Sequence, residues 1–309
     1  MVSEGEPRRA SGRWGIAALL LGTTCIALGV IAGKEAYGDG AAPQDLLRAR
    51  LLVATAFILP LLPWAIRSEV RQKKLGSLAV ATGAGVSLWL ASRAEFEGLA
   101  RLPAGMLVVV LATAPVWVAV LGWIGAGRVP TTLERVALTA VVGGIAIMAM
   151  PLGSSVDPLG VLFGLASAIC FAVFVLVMER NREVPAATGF MLGMTGAAIA
   201  LLATEPAAVG RLAAEDMSLP LILVLGASAA GWTFLVGFGL EATDAITTAV
   251  FVAIEPLLVS VLAFLILGEG LSLREIAGGL VVLLGLTAAA TQVSPEDLSG
   301  RPPSRRSDP

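Results

Sequence analysis

Long apolar runs separated by short polar segments make up most of this chain. Runs of about 20 apolar residues have the length that crosses the hydrocarbon core of a bilayer. Ten such runs occur, at 14–33, 46–66, 75–94, 103–124, 133–151, 158–179, 187–204, 218–238, 244–267 and 274–292. The pattern predicts an all-α membrane protein with ten transmembrane helices.

Composition supports a lipid environment and narrows the chemistry. The chain is 57% hydrophobic, has a mean hydropathy of +0.87 and is only 14% charged, against roughly 25% charged residues in soluble domains. It has no histidine, and its two cysteines, Cys25 and Cys170, stand apart in apolar runs. We therefore expect no disulfide framework, no Cys/His metal site and no cofactor. No basic footprint for nucleic acid is visible, and carboxylates are the groups left to handle protons.

The distribution of basic residues predicts the orientation of the chain. Segments on the side of the two chain ends hold twice as many Lys and Arg residues as the opposite segments, which favours a cytoplasmic location for both ends. We expect a cytoplasmic N-tail at 1–13 and a disordered cytoplasmic C-tail at 293–309, rich in Pro, Ser and Arg. The predicted location is the inner membrane of the cell.

The chain repeats itself at a spacing of 141 residues. This shift aligns, without a gap, Pro115 with Pro256, Gly127 with Gly268, Glu134 with Glu275 and Gly144 with Gly285. The coincidences predict a first repeat at 14–151 and a second at 157–292, each with five helices. Because five is odd, the second copy enters from the opposite side, and such inverted repeats support alternating access around a midplane site.

These motifs resemble the EamA-type members of the drug/metabolite transporter superfamily. The matching residues are Ile254-Glu255-Pro256-Leu257, Leu267-Gly268-Glu269, Gly278-Gly279, Gly285, Lys34, Arg50, Ala114-Pro115 and Gly144. The resemblance covers roughly 14–292 and implies a central cavity lined by the first four helices of each half, often used to export amino acids or related metabolites. Gly127-Arg128 departs from the Gly-Glu that the first repeat of the family often has.

Glu255 is the main candidate for a functional group. An ionised carboxylate within a transmembrane helix costs about 2.5–3.5 kcal/mol on insertion scales, so it is expected to face a cavity or a partner. Pro256 beside it removes one helical hydrogen bond and frees the carbonyl of Val252. Together they suit a substrate ammonium or a proton; a buried structural glutamate is the alternative.

Further candidates for substrate binding or coupling are less specific, namely Arg50, Trp89, Trp232, Thr247 and Thr23. We place Arg50 near the outer surface, where it either binds a carboxylate or snorkels to the headgroups. The tryptophans shape a cavity or simply pack, and the hydroxyls line a pathway or bond to their own helices. Pro115 and Pro256 are equivalent in the two repeats and act as hinges or as plain kinks.

Function is predicted by combining these patterns. No Walker A sequence or serine elbow occurs, so direct use of ATP and hydrolase chemistry are not indicated. We expect a secondary transporter, not an enzyme, that exports amino acids or related zwitterions across the lipid bilayer, with the proton as a possible coupling ion. Sugars, nucleosides or cationic drugs are alternative substrates. An intramembrane enzyme using Glu255 and Asp244 is the weaker alternative. The oligomeric state is left open.

Overall fold

A computed structural model describes residues 12–126, 132–149, 156–214, 217–242, 255–270 and 272–290, and within these ranges it is helical without strands. The main segments are numbered here in chain order. They are α1 (Gly12–Gly38), α2 (Pro43–Arg48, Ala49–Val53 and Ala54–Ile58), α3 (Leu75–Gly83 and Gly85–Leu99), α4 (Ala104–Leu111 and Ala114–Ala126), α5 (Thr132–Ala149), α6 (Pro158–Arg180), α7 (Ala186–Thr204), α8 (Leu219–Ala242), α9 (Glu255–Leu267) and α10 (Leu273–Ala290).

Within the described ranges, six helices are long and apolar enough to cross a membrane: α1, α3, α4, α6, α7 and α8. In α9 and α10 the apolar stretches are shorter. Short helical pieces at Leu62–Ala65, Arg67–Arg71 and Ala208–Ala214 lie in the connections. The molecule is therefore a multi-pass membrane protein, and the prediction of ten spans stays a prediction.

Two predicted spans differ from the helices in length. The second run, 46–66, is not one helix, because α2 ends at Ile58 and is followed by a turn that contains Pro60. A proline cannot donate the backbone hydrogen bond that would continue the helix. In contrast, α3 continues through its charged end to Leu99 instead of stopping at residue 94, and it bends at Ala84.

Helix α1 packs antiparallel against α8, from the opposite half of the chain. Gly22 lies against Val236, and Gly29 lies against Ser228. Towards the start of α1, Leu19 contacts Gly239. These glycines let the two backbones approach closely, as small residues do between membrane helices.

The same kind of pairing joins α3 to α6 and α7. Gly98, near the end of α3, contacts Gly160 at the start of α6, and Asn181 at the end of α6 donates to the Ser77 carbonyl at the start of α3, at 2.7 Å. The two helices are therefore antiparallel. Helix α5 packs on α10, and a buried core that includes Ala27, Phe96, Phe174 and Leu225 extends through both halves.

Candidate functional site

A buried ion pair between α2 and α3 lies at the centre of the candidate site. The Nη1 atom of Arg50 donates to Oε1 of Glu95 at 2.7 Å, and both residues are only 9% exposed. The guanidinium carbon also lies 5.5 Å from the ring centroid of Phe96. A cation and an anion thus meet away from water, where their attraction is screened less than at the surface.

The backbone around Arg50 is unusual as well. Residues Ala49–Val53 form a π-helical turn inside α2, a rare feature that is frequently found at functional sites. The Arg50 side chain is buried and ion-paired and does not snorkel, whereas its depth near the outer surface stays a prediction. The sequence could not indicate this partner, which lies 45 residues away.

Two buried N–H donors on α2 and α3 have no acceptor among the described residues. They are Nε of Arg50, within the pair, and Nε1 of Trp89. A buried donor left without an acceptor costs about 1–3 kcal/mol, so such groups are uncommon in folded proteins. Trp89 lies on α3, six residues before Glu95, so one helix carries both the carboxylate and an unmet donor.

Glu255 begins the described part of α9 and is half-buried. Glu95 and Arg50 are the charged groups that act on Glu255 electrostatically. The structure therefore brings the predicted carboxylate, Glu255, close to the predicted cation, Arg50. Pro256, which follows it, is buried. Thr247 and the residues that would show a kink before Pro256 lie outside the described residues.

The remaining predicted residues are placed apart from this ion pair. Thr23 is buried and donates to the Leu19 carbonyl of its own helix at 2.8 Å. Trp232 packs against Phe171 and Phe190, with centroid distances of 5.9 and 5.6 Å. Its aromatic contacts come from α6 and α7, so Trp232 belongs to a cluster of rings in the second half of the chain.

Helix α4 is interrupted at the first predicted hinge. The helix stops at Leu111 and resumes at Ala114, directly before Pro115. A proline at 115 cannot donate to the carbonyl of residue 111, which accounts for the break. At the break, the Val110 carbonyl accepts hydrogen bonds from both the hydroxyl of Thr113, at 2.7 Å, and the Thr113 amide, at 3.2 Å.

Polar contacts join the two halves where α1, α3 and α9 end and α4 begins, which we name the Lys34 end. Lys34 Nζ donates to the carbonyls of Leu99 and Leu102, at 3.0 and 2.7 Å, and lies 3.6 Å from Oε1 of Glu269. The other oxygen of Glu269 accepts from the Ala104 amide at 2.8 Å. Glu269 therefore pairs with a cation and caps α4 at the same time.

A second cross-half contact connects the start of α2 with the end of α7. Arg48 contacts Glu205 through Nε at 3.0 Å and Nη2 at 2.8 Å, and its Nη1 contacts Asp45 at 2.7 Å. Arg211 also reaches Glu205, at 2.5 Å. The hydrogen bond from Arg48, reinforced by Arg211, lowers the pKa of the Glu205 carboxyl below its ordinary value.

Sequence reasoning missed two carboxylates that take part in these contacts, Glu95 and Glu205. Glu95 stands in a crowded charged segment that could be read as a loop, so its position inside a helix was not evident. An ionisable residue in an apolar helix is the signal that points to such a group. Glu205 directly follows an apolar run, where charged residues are common, and gave no comparable signal.

Comparisons with known proteins identify the class of the molecule. The model of the EamA-like transporter family matches residues 13–150 and again 158–291. An uncharacterized transporter of Clostridium kluyveri is 24% identical over 139 residues, which cover 43% of this chain and 44% of that protein. A solved crystal structure at 18% identity covers 92% of this chain and 97% of its own, with a TM-score of 0.55, and shows a shared fold. The chain thus belongs to the EamA-like transporter family of the drug/metabolite transporter superfamily.

Proposed function

We propose that this protein is a secondary transporter that works by alternating access and exports amino acids or related zwitterions. Two matches to one family model along a single chain support an internal duplication. The observation that carries the proposal is the buried, incompletely satisfied pair of Arg50 and Glu95, with Glu255 nearby. Ionisable groups within membrane helices mark substrate and ion pathways.

The packing between helices supports two inverted five-helix repeats. In the two repeats, each helix has its counterpart five helices away along the chain, so that α1 corresponds to α6 and α8 to α3. Replacing each helix by its counterpart turns the α1–α8 contact into α6–α3, and it turns α2–α8 into α7–α3. Both types of contact are present, and α5–α10 is its own counterpart. A pseudo-twofold relation between halves produces this exchange of partners. It suits a ten-span transporter with both chain ends in the cytoplasm, in which one half rocks against the other.

The Lys34 end and the Arg48–Glu205 contact supply the interactions that such a motion would break. The pairs Lys34–Glu269 and Arg48–Glu205 both connect the first half with the second. In the predicted orientation the end of α1 and the start of α2 face away from the cytoplasm. We assign the conformation as one with its outer gate closed, in which the ion pairs hold the halves together until substrate and coupling ion favour release.

Glu255 is the proposed proton-binding group for coupling. It is separate from the Arg50–Glu95 ion pair yet within its electrostatic reach. A carboxylate can carry one proton across the membrane while the helices move around it. An inward proton gradient would then drive substrate outward in exchange.

Transport in proteoliposomes tests this proposal. Purified protein is reconstituted, a pH gradient is imposed, and uptake of each of the labelled proteinogenic amino acids is measured against protein-free vesicles. We expect gradient-dependent uptake of at least one amino acid, and loss of that dependence in Glu255→Gln. Glu35→Gln, at an exposed position near the end of α1, is the matched control and should behave as the parent. Uptake of sugars, nucleosides or organic cations without any amino acid would contradict the proposed substrate class.

A further inference from the structure

The Arg50–Glu95 pair leaves donor capacity on the arginine that the described protein residues do not fill. A guanidinium has five N–H donors in a planar fork. Nη1 donates to Glu95, whereas Nε is buried without an acceptor. An arginine side chain that is nine-tenths buried and has an unmet Nε–H donor can receive a second acceptor there.

We infer that Arg50 and Glu95 act as one unit that binds the head group of an amino acid, with Arg50 taking the α-carboxylate and Glu95 the α-ammonium. This inference rests on the proposed function and specifies its binding site. A carboxylate fits an arginine edge with two parallel hydrogen bonds, and the Nε edge is where that acceptor is lacking. Glu95 turns one oxygen, Oε1, towards Arg50, and its second oxygen is the acceptor for the ammonium.

The net charge of the Arg50–Glu95 site favours zwitterions over ligands with a net charge. Arg50 and Glu95 carry opposite charges and sum to zero, and both are 9% exposed. A zwitterion also sums to zero, so its binding adds no net charge to a buried site. An amine without a carboxylate, or an acid without an ammonium, would bring one uncompensated charge out of water, which is strongly unfavourable.

Arg50, Glu95 and Glu255 have different roles in this arrangement. The sequence suggested Glu255 for a substrate ammonium and Arg50 for a carboxylate. The structure instead pairs Arg50 directly with Glu95, while Glu255 acts on this pair only over a longer range. Glu95 is therefore a substrate-binding residue, and Glu255 stays available for the proton.

A series of three ligands tests the inference on the unmodified protein. We take the amino acid that the transport screen identifies as best, its decarboxylated amine and its N-acetyl derivative, and measure their affinities by competition against the labelled amino acid. Each truncated ligand should bind about tenfold or more weakly, because each leaves a charged partner unpaired. Equal affinity for all three ligands would overturn the inference.

Substitutions then assign the ammonium contact. Glu95→Gln should lower affinity for the amino acid about tenfold or more but leave affinity for the N-acetyl derivative unchanged or raised, since that ligand has no ammonium to lose and its negative charge balances Arg50. Glu97→Gln is the matched control, because Glu97 lies on the same helix and pairs with Arg101 at 2.7 Å. Glu95→Asp, which keeps the charge, should retain discrimination between the two ligands. An equal loss for both ligands in Glu95→Gln would refute the assigned contact.

The outcomes distinguish this inference from the function on which it depends. If only sugars, nucleosides or organic cations are transported, the proposed substrate class and the head-group site fail together. If an amino acid is transported but Glu95→Gln and Glu97→Gln bind it equally well, the head-group site alone is wrong. If Glu95→Gln does not fold, the ligand series on the parent protein still decides.

Discussion

The crossing of α3 and α7 offers the most direct test of the packing, through the substitution Gly196→Ala. A Cβ atom at Gly196 would overlap the backbone carbonyl oxygen of Thr82 and lie 3.2 Å from the Cα of Gly85. Both obstacles are backbone atoms, so no side-chain rotation can make room. The helices must separate, and the helix that carries Trp89 and Glu95 moves with them.

The expected cost follows from two opposing terms. Overpacking a well-packed contact costs about 1–3 kcal/mol, and a clash with backbone belongs at the upper end of that range. Alanine recovers up to about 1 kcal/mol over glycine in helix propensity. We expect Gly196→Ala to lose about 2 kcal/mol. By contrast, Gly83→Ala meets no atom within 4 Å and should be neutral or stabilising.

Thermal unfolding in detergent, followed by size-exclusion chromatography, measures the difference. The shift is roughly 2–4 °C per kcal/mol for 150–250 residues and about 2 °C at the length of this chain, 309 residues. Gly196→Ala should therefore melt about 4 °C below the parent and Gly83→Ala at or above it. Gly196→Ala should also transport more slowly, because Glu95 is displaced. Equal melting temperatures for the two variants would refute a backbone contact between α3 and α7.

Three further predictions concern Glu205, the Lys34–Glu269 pair and the break in α4 at Pro115. Because the pKa of Glu205 is lowered in the folded protein, its contribution to stability is complete above the ordinary value of 4.5 and is lost as the pH falls through the folded value. The melting temperature of Glu205→Gln should therefore lie below that of the parent at neutral pH, and the gap should close under acid; a constant gap would contradict the ion pair with Arg48. If Lys34 and Glu269 form one gate contact, Lys34→Met and Glu269→Gln should each change initial transport rates, and the double variant should change them by less than the product of the two single effects, whereas multiplicative effects would show independence. Pro115→Ala restores the missing backbone donor, so it should raise the melting temperature and slow transport if the break in α4 is a hinge; unchanged transport would leave the break as a plain kink.

The hydrophobic pattern predicted the helical class well, because long apolar runs in lipid have few alternatives to a helix. It failed where local chemistry interrupts a run. The turn after Ile58 comes from Pro60, which lies inside an apolar stretch. The extension of α3 to Leu99 includes charged residues that lie beyond the apolar run, which ends at residue 94. The average hydrophobicity of a run does not reveal such positions, because backbone hydrogen bonding determines where a helix ends.

The candidate site could be predicted only in part. Glu255 was identifiable because a carboxylate in an apolar helix is costly. The pairing of Arg50 with Glu95 was not, since it depends on the angle between two helices and on a π-helical turn that rotates the Arg50 side chain relative to the rest of α2. Contacts between distant segments, such as Arg48 with Glu205, likewise need the packed structure.

The antiparallel pairing of α1 with α8 has a consequence for biosynthesis. Helix α8 begins at residue 219 and α1 at residue 12, so 207 residues separate the two starts. At about 5–20 residues per second, the ribosome makes the partner of α1 roughly 10–40 s after α1 itself. During that delay the glycine-lined face of α1 must rest against lipid or an assembly factor. If the two halves of the chain were expressed separately, the face of α1 or of α8 that packs in this pair would have no packing partner.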